Sequence, residues 1–391
     1  MEFVFTYSNI IDLREEHFFN GWPSGILDGH LQYSLNVPYY WLELDPNMVL
    51  KIIQEKAPKK EELWIISEDP EHATNFKKFL EGHKIPCQIL SNTKMDGLIQ
   101  KYGLTKLPRY QKLVYAEWVH TQIENPKSMF KLYHVGFKDK DVYLKGHIPK
   151  AYYFDLSEIE KPPNWQFMAD KEIIPILKKY GIHQDMSILL YGDNNIAAYR
   201  FALVLFHLGV KDIRILDGGL TSWKYKGYQL EKEENVPEPC KDFDEEFLMR
   251  DVIRTLKQVE KMLEDKEFNT VVDIRSREEH EGRITGYDYV KHRGRIQGSV
   301  WGYGGTDVND LADLRNFTKT MLNFEELQAK WKIQGIVKEK NNCFYCGTGW
   351  RASEAFFYAY FMGWDKISLY DGGWKEWGEE MERRAIQEYY Q

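Results

Sequence analysis

The hexapeptide CGTGWR at Cys346–Arg351 places one thiol, two glycines and one guanidinium within six positions. It follows the short apolar run Cys343–Tyr345 and opens a helical stretch that reaches Gly363. Gly347 and Gly349 permit a tight turn whose successive N–H groups point inward as an anion nest. The helix that follows adds unpaired N–H groups and the positive end of its dipole. Such a field favours thiolate over thiol, so the chemistry expected is nucleophilic attack by Cys346, with negative charge held by main-chain donors. A merely buried cysteine, the common fate of a free thiol, needs neither the nest nor the cation. Arg351 reads in two ways, as a side chain that holds an anion or as a tie between the loop and a neighbouring carboxylate.

What positions this loop is a repeated pattern. Asp371, Gly372, Gly373 and Trp377 match Asp217, Gly218, Gly219 and Trp223 at a constant offset of 154 residues. Upstream, GHIPKA at Gly146–Ala151 aligns with GRIQGS at Gly294–Ser299, and GHLQYSLNVP at Gly29–Pro38 is a third version. Ile10–His17 (IIDLREEH) resembles Val271–His280 (VVDIRSREEH), so three units are visible; in the first, the DGG turn has become LSN at Leu90–Asn92. Each unit alternates β-branched runs with amphipathic stretches, which predicts parallel strands joined by crossover helices. In the third unit Val271–Ile274, Cys343–Tyr345 and Ile367–Tyr370 read as strands. Ala352, Ala355, Phe356, Ala359 and Tyr360 then form one buried helical face, and Gly363 suits a helix end that needs positive φ.

Periodicity lapses near Thr93–Arg109 and in the Pro- and Glu-bearing stretch Glu231–Phe243, which sets domains of 1–100, 101–235 and 236–391. The last carries an insertion at Ile284–Arg293 and a long loop at Trp301–Thr320, a length often associated with function. A chain of 391 residues exceeds what one core organises, and 43% hydrophobic with 29% charged residues is a globular composition. No apolar run approaches the roughly 20 residues that span a bilayer, and no signal peptide is read, which favours the cytoplasm. A formal charge of −8 offers no basic footprint for nucleic acid or anionic membrane. Four cysteines do not make a disulfide scaffold, and Cys343 and Cys346 lack the partners of a structural zinc site. On a strand their Cα atoms lie about 10 Å apart, beyond disulfide reach. No metal or cofactor is expected.

These features together resemble the rhodanese-like sulfurtransferases, in particular those with three tandem rhodanese domains and one active loop. The resemblance rests on the DxR and GHIxxA-type segments, the loop CGTGWR and the terminal DGGWxEW. It implies an α/β fold of three tandem rhodanese-like domains, each a parallel sheet flanked by helices. It implies further that Cys346 takes a sulfane sulfur from a small anionic donor, becomes a persulfide, and passes the sulfur to a thiol or protein acceptor. Gly347, Thr348, Gly349, Trp350 and Arg351 would cradle the transferred group, while Arg277 and Arg283 are candidates for steering the donor. Asp273 matches the family's DxR aspartate and reads as a loop brace. The middle unit has Gly192 where Cys346 is expected, or Asp193 with one gap, and the first has Ser67–Thr74 without a cysteine, so one domain is catalytic and two are degenerate.

Two other readings compete. Phosphatases and arsenate reductases of related fold resemble a Cys-x5-Arg pattern, whereas Cys346 to Arg351 is Cys-x4-Arg, a smaller ring of donors suited to a single sulfur. A non-catalytic binding module fits the first two units but not the third. Within the family, loops opening with Cys-Gly-(Ser/Thr)-Gly resemble those of mercaptopyruvate users and loops opening with Cys-Arg those of thiosulfate users. CGTGWR opens like the former and ends in arginine, which leaves both donors open. Trp350 is expected either to wall the entrance beside the sulfur or to pack back onto the helix.

Overall fold

Short β-branched and aromatic runs become the central strands because parallel strands are buried on both faces. The structure, a computed structural model, describes residues 5–59, 61–243 and 250–389, so the outermost positions of the first and last expected domains lie outside it. The described chain forms two compact units, 1–111 with 323–330, and 112–322 with 331–391. The first unit contains a parallel sheet ordered Leu35–Asn36, Ile10–Asp12, Leu63–Ile66, Cys87–Ile89.

The second unit holds two five-stranded parallel sheets. One runs Leu113–Val114, Asp212–Leu216, Ser187–Tyr191, Phe130–Gly136, Tyr152–Asp155. The other runs Ile253–Arg254, Ile367–Tyr370, Asn341–Tyr345, Asn269–Asp273, Val300–Trp301. Their strand orders are the same. The sequence offset of 154 residues carries strand Ser187–Tyr191 onto Asn341–Tyr345 and helix Ile196–His207 onto Trp350–Phe361 without a gap. Gly192, not Asp193, therefore occupies the position of Cys346.

Two expectations change. The helix Trp350–Phe361 is buried around nearly its whole circumference, from Arg351 through Ala359, rather than along one face. Its own sheet covers one side and the helix Ile196–His207 covers the other, with Tyr199 set against Tyr358 (ring centroids 5.7 Å apart) and Phe206 against Tyr360 (5.1 Å). The stretch near Thr93–Arg109 is not a plain connection: it forms helix Asn92–Tyr102 and strand Leu104–Thr105, which pairs antiparallel with His30–Leu31. Met95, Leu98, Ile99 and Tyr102 follow helical spacing and pack on Ile10, Leu31 and Ile66, a periodicity that two lysines and a glycine obscure.

The stretch Glu231–Phe243 carries no helix and is strapped to its neighbours, Glu231 exchanging backbone bonds with His147 and the Cys240 N–H donating to Lys178. Gly363 follows its helix with φ of +77°. No helix among the described residues is long and apolar enough to cross a membrane.

Candidate active site

Strand Asn341–Tyr345 lies between two parallel neighbours, and Cys346 is the first residue beyond its carboxyl end. Loops at that edge of a parallel sheet are where open α/β folds place their ligands. Gly349 takes φ of +85° and serves as the N-cap of the helix that starts at Trp350. Behind the loop stands the DGGW turn. The N–H groups of Trp374 and Lys375 donate to the carbonyls of Cys346 (2.8 Å) and Gly347 (3.1 Å). With those oxygens drawn to one side, the loop's own N–H groups turn the other way, as a nest requires. This contact explains the second glycine of DGG: a Cβ on Gly373 would lie 2.5 Å from the Gly347 carbonyl oxygen.

Two other helix starts that follow a parallel strand carry a side chain in this place. Asn195 stands where the 154-residue offset puts Gly349; its Oδ1 accepts from the Gly192 N–H (3.0 Å) and its Nδ2 donates to Leu216. Nearer the amino terminus, the Asp69 carboxylate accepts from the N–H groups of Glu71 and His72 at the start of helix Pro70–Gly82. Neither place has a thiol.

Arg351 is fully buried, and its guanidinium makes two bonds to Glu279, 2.7 and 2.9 Å long. The guanidinium is thus tied to a carboxylate, the second of its two readings, and Arg351 also lines the cavity described below. Glu279 belongs to a capping box with Ser276, whose N–H and hydroxyl both reach its Oε2. Sequence reasoning missed this carboxylate, although S-x-x-E after a strand is a recognisable helix start. Arg277 and Arg283 are not brought to the loop: both stand in solvent and share Glu281. Asp273 is buried and receives Arg275, His280 and the Tyr345 hydroxyl, while Arg275 also donates to the Gly294 carbonyl. Burial would raise its carboxyl, but Arg275 and His280 overcome that and hold it below the usual range. Asp12, Arg14 and Gly29 repeat this arrangement in the first unit, which explains why DxR and the following glycine segment recur together.

Over the loop lies a cavity of about 440 Å³. Thr348, Trp350 and Arg351 line it from below, Tyr287 and Tyr289 of the insertion from one side, and Phe137, Glu160 and Trp165 beside the middle sheet from the other. Tyr287 and Tyr289 stack with centroids 5.2 Å apart, and the Tyr287 hydroxyl donates to Val308 in the long loop. Trp350 lines the cavity: its indole meets the edge of Phe137 at 5.3 Å and donates to Glu160 Oε2 at 3.1 Å. From Glu160 a buried chain continues. Arg200 donates to Glu160 Oε1 (2.6 Å) and pairs with Asp371 of the DGGW turn (2.6 Å), which also accepts from the Phe167 N–H. Sequence reasoning did not find Glu160 and Arg200, since their partners lie far away in the chain.

Burial pushes the Glu160 carboxyl up to about 7, against the pull of Arg200. A carboxyl raised above its unfolded value keeps its proton longer in the folded state. Its contribution to stability is therefore complete below about pH 4.5 and is lost as pH rises through 7. Relative to Glu160→Gln, the native protein is expected to lose stability between pH 5 and 8 in urea titrations; parallel pH profiles would contradict this.

The rhodanese-like domain family model matches residues 115–226 and 255–380. The chain is 33% identical over 383 residues to the thiosulfate sulfurtransferase YnjE of Escherichia coli, covering 95% of this chain and 87% of that protein. It is 31% identical over 281 residues to the sulfur carrier protein TtuD of Thermus thermophilus, covering 68% of this chain and 93% of that one. Among solved structures, wild-type EanB aligns with a TM-score of 0.86 at 30% identity, over 95% of this chain and 91% of that one. The crystal structure of YnjE aligns with a TM-score of 0.85 at 32% identity over the same shares. Another EanB structure holds a cysteine persulfide in a tetrahedral intermediate state with ergothioneine.

Proposed function

From the premise that this chain belongs to the rhodanese-like domain family, we propose that it is a sulfurtransferase that carries sulfane sulfur as a persulfide on Cys346. Its relatives are named as thiosulfate and 3-mercaptopyruvate sulfurtransferases, and an EanB structure carries the corresponding chemical state on a cysteine. One observation carries the assignment. Of three helix starts that follow a parallel strand in the repeated pattern, two carry a side chain, Asp69 or Asn195, that accepts main-chain N–H groups, and the third has Gly349 in that place and a thiol at the strand end.

In the loading half-reaction, the Cys346 thiolate attacks the outer sulfur of thiosulfate or the thiol sulfur of 3-mercaptopyruvate. A Cys–S–S bond forms, and the old bond breaks with its electron pair on sulfite, or on the pyruvate enolate, which then takes a proton. The N–H groups of Gly347, Thr348, Gly349, Trp350 and Arg351 hold the charge on the transferred sulfur. With its guanidinium occupied by Glu279, Arg351 fixes the loop rather than meeting the donor. In the second half-reaction, cyanide, a thiol or a protein thiol removes the outer sulfur and returns the Cys346 thiolate. The repeats support a division into a degenerate unit over 1–100, an inactive unit over 101–235 and a catalytic unit over 236–391.

Intact-mass measurement after incubation with each donor tests the reading. One added sulfur, released by cyanide and located by peptide mapping on Cys346, is expected. Sulfur located on Cys343, or absent with both donors, would refute it. Hydrolysis of 4-nitrophenyl phosphate without sulfur uptake would point instead to the phosphatase alternative.

A further inference from the structure

We propose that Glu160 takes up a proton as the anionic donor enters the loop, and so sets how the protein ranks dianionic against monoanionic donors. The inference rests on the sulfur-transfer reading and adds a residue that decides donor preference.

Beside Gly349 one guanidinium is shared by two carboxylates. Arg200 donates through Nε to Glu160 Oε1 (2.6 Å) and pairs through Nη2 with Asp371 Oδ1 (2.6 Å), while its buried Nη1 has no hydrogen-bond partner among the described residues. That Nη1 abuts the loop: a Cβ on Gly349 would lie 2.5 Å from it and 3.2 Å from Asp371 Oδ1. With both carboxylates ionised the three groups carry one net negative charge against the nest. With one of them protonated they are neutral, and the loop can receive an anion without adding like charge to like.

Glu160 is the one placed to hold that proton. Its side chain is fully buried and its second oxygen meets the neutral indole of Trp350 (3.1 Å), whereas Asp371 is partly exposed and also takes the Phe167 N–H (2.9 Å). Burial already brings the Glu160 carboxyl to about 7, so a neighbouring anion needs to raise it only a little to keep it protonated at neutral pH. The other groups near it do not compete. The Tyr289 phenol is pushed up by burial and stays neutral, and Lys161, next in the strand, reaches out to Glu172.

The proton comes from bulk water by way of the cavity that Glu160 lines, and it takes no part in the bonds to sulfur. Proton and anion then favour each other's binding by the same factor. Thiosulfate, a dianion, feels the charge on Glu160 about twice as strongly as the monoanion of 3-mercaptopyruvate. Rising pH should therefore cost thiosulfate more.

The test measures kcat/KM for each donor on the native chain and on Glu160→Gln between pH 6 and 8 at constant ionic strength. Glutamine is neutral throughout but offers an N–H where the carboxyl accepts from Trp350, a loss that is the same at every pH. The change with pH is what reads the charge, and dividing native by variant cancels the ionisation of the donors. That quotient is expected to fall about tenfold for thiosulfate and about threefold for 3-mercaptopyruvate. A quotient that stays flat for every donor that loads Cys346, or that falls equally for both, would overturn the proposal. Infrared difference spectra on Cys346→Ser give a second reading that does not depend on the folding of Glu160→Gln. Thiosulfate added at pH 7.5 should raise the carbonyl band of a protonated carboxylic acid, and the absence of that band would also overturn the proposal. If Cys346 gains sulfur but the quotient is flat, only the role of Glu160 fails. If Cys346 gains none with either donor, the sulfur-transfer reading falls, and this proposal with it.

Discussion

Cys346→Ser is expected to lower turnover with either donor by at least about a thousandfold and to abolish the sulfur adduct, because a serine hydroxyl at neutral pH replaces the thiolate that attacks and leaves. Cys343 cannot take over. It is three residues away within the central strand, and burial pushes its thiol up to about 12, so it stays protonated. Cys343→Ser is therefore expected to keep substantial activity, with a loss confined to packing. Steady-state kinetics and intact mass on both variants decide the matter. A Cys346→Ser protein that retained a tenth of native turnover would remove this residue from the reaction.

The second large effect is expected at Glu279→Ala. Glu279 and Arg351 are each about 1% exposed, so removing the carboxylate leaves a buried guanidinium without its partner. Breaking a buried pair in this way costs about 3–5 kcal/mol, well above the gain of the intact pair over an apolar substitute. The freed Arg351 would also be drawn toward the loop sulfur, so activity should fall along with the melting temperature. The double variant Glu279→Leu with Arg351→Leu separates the two effects. Stability should recover most of the loss because no charge is left unpaired, while activity should stay low because the loop is no longer tied. Denaturant titration of the three proteins reads the first effect and kcat/KM the second. A Glu279→Ala protein of native stability would contradict the assignment of Arg351 as the loop's tie.

How much of this was legible before the structure depended on how local each feature is. The loop, its strand and its helix announce themselves within about twenty residues, as do the DGG turns and the 154-residue offset. Nothing local shows that Arg351 is bound by a carboxylate 72 positions earlier, or that Trp350 meets Glu160 and Asp371 meets Arg200 across far longer separations. The Trp350–Phe361 helix looked amphipathic because Arg351, Ser353 and Glu354 are polar. They are buried all the same, since Glu279 and Arg315 reach in to satisfy Arg351 and Glu354, while the Ser353 hydroxyl bonds Gly349. The helix Asn92–Tyr102 was hidden for the opposite reason, its apolar stripe diluted by Lys94, Gly97 and Lys101. Spacing reveals a thiol in a nest, but which arginine is free to act is decided by partners that only folding brings together.

The paired helices Ile196–His207 and Trp350–Phe361 bear on how this unit comes apart. Each packs on its own sheet and against the other helix, and the seam between them includes aromatic rings, Tyr199 on Tyr358 and Phe206 on Phe356 and Tyr360. Neither sheet can open alone without exposing that seam, so the two form a single cooperative block that melts in one transition and exchanges its amide protons only by whole-block opening. The half without a thiol at its strand end thereby matters as a part of the fold: the loop at Cys346 takes its rigidity from the neighbouring sheet as well as its own.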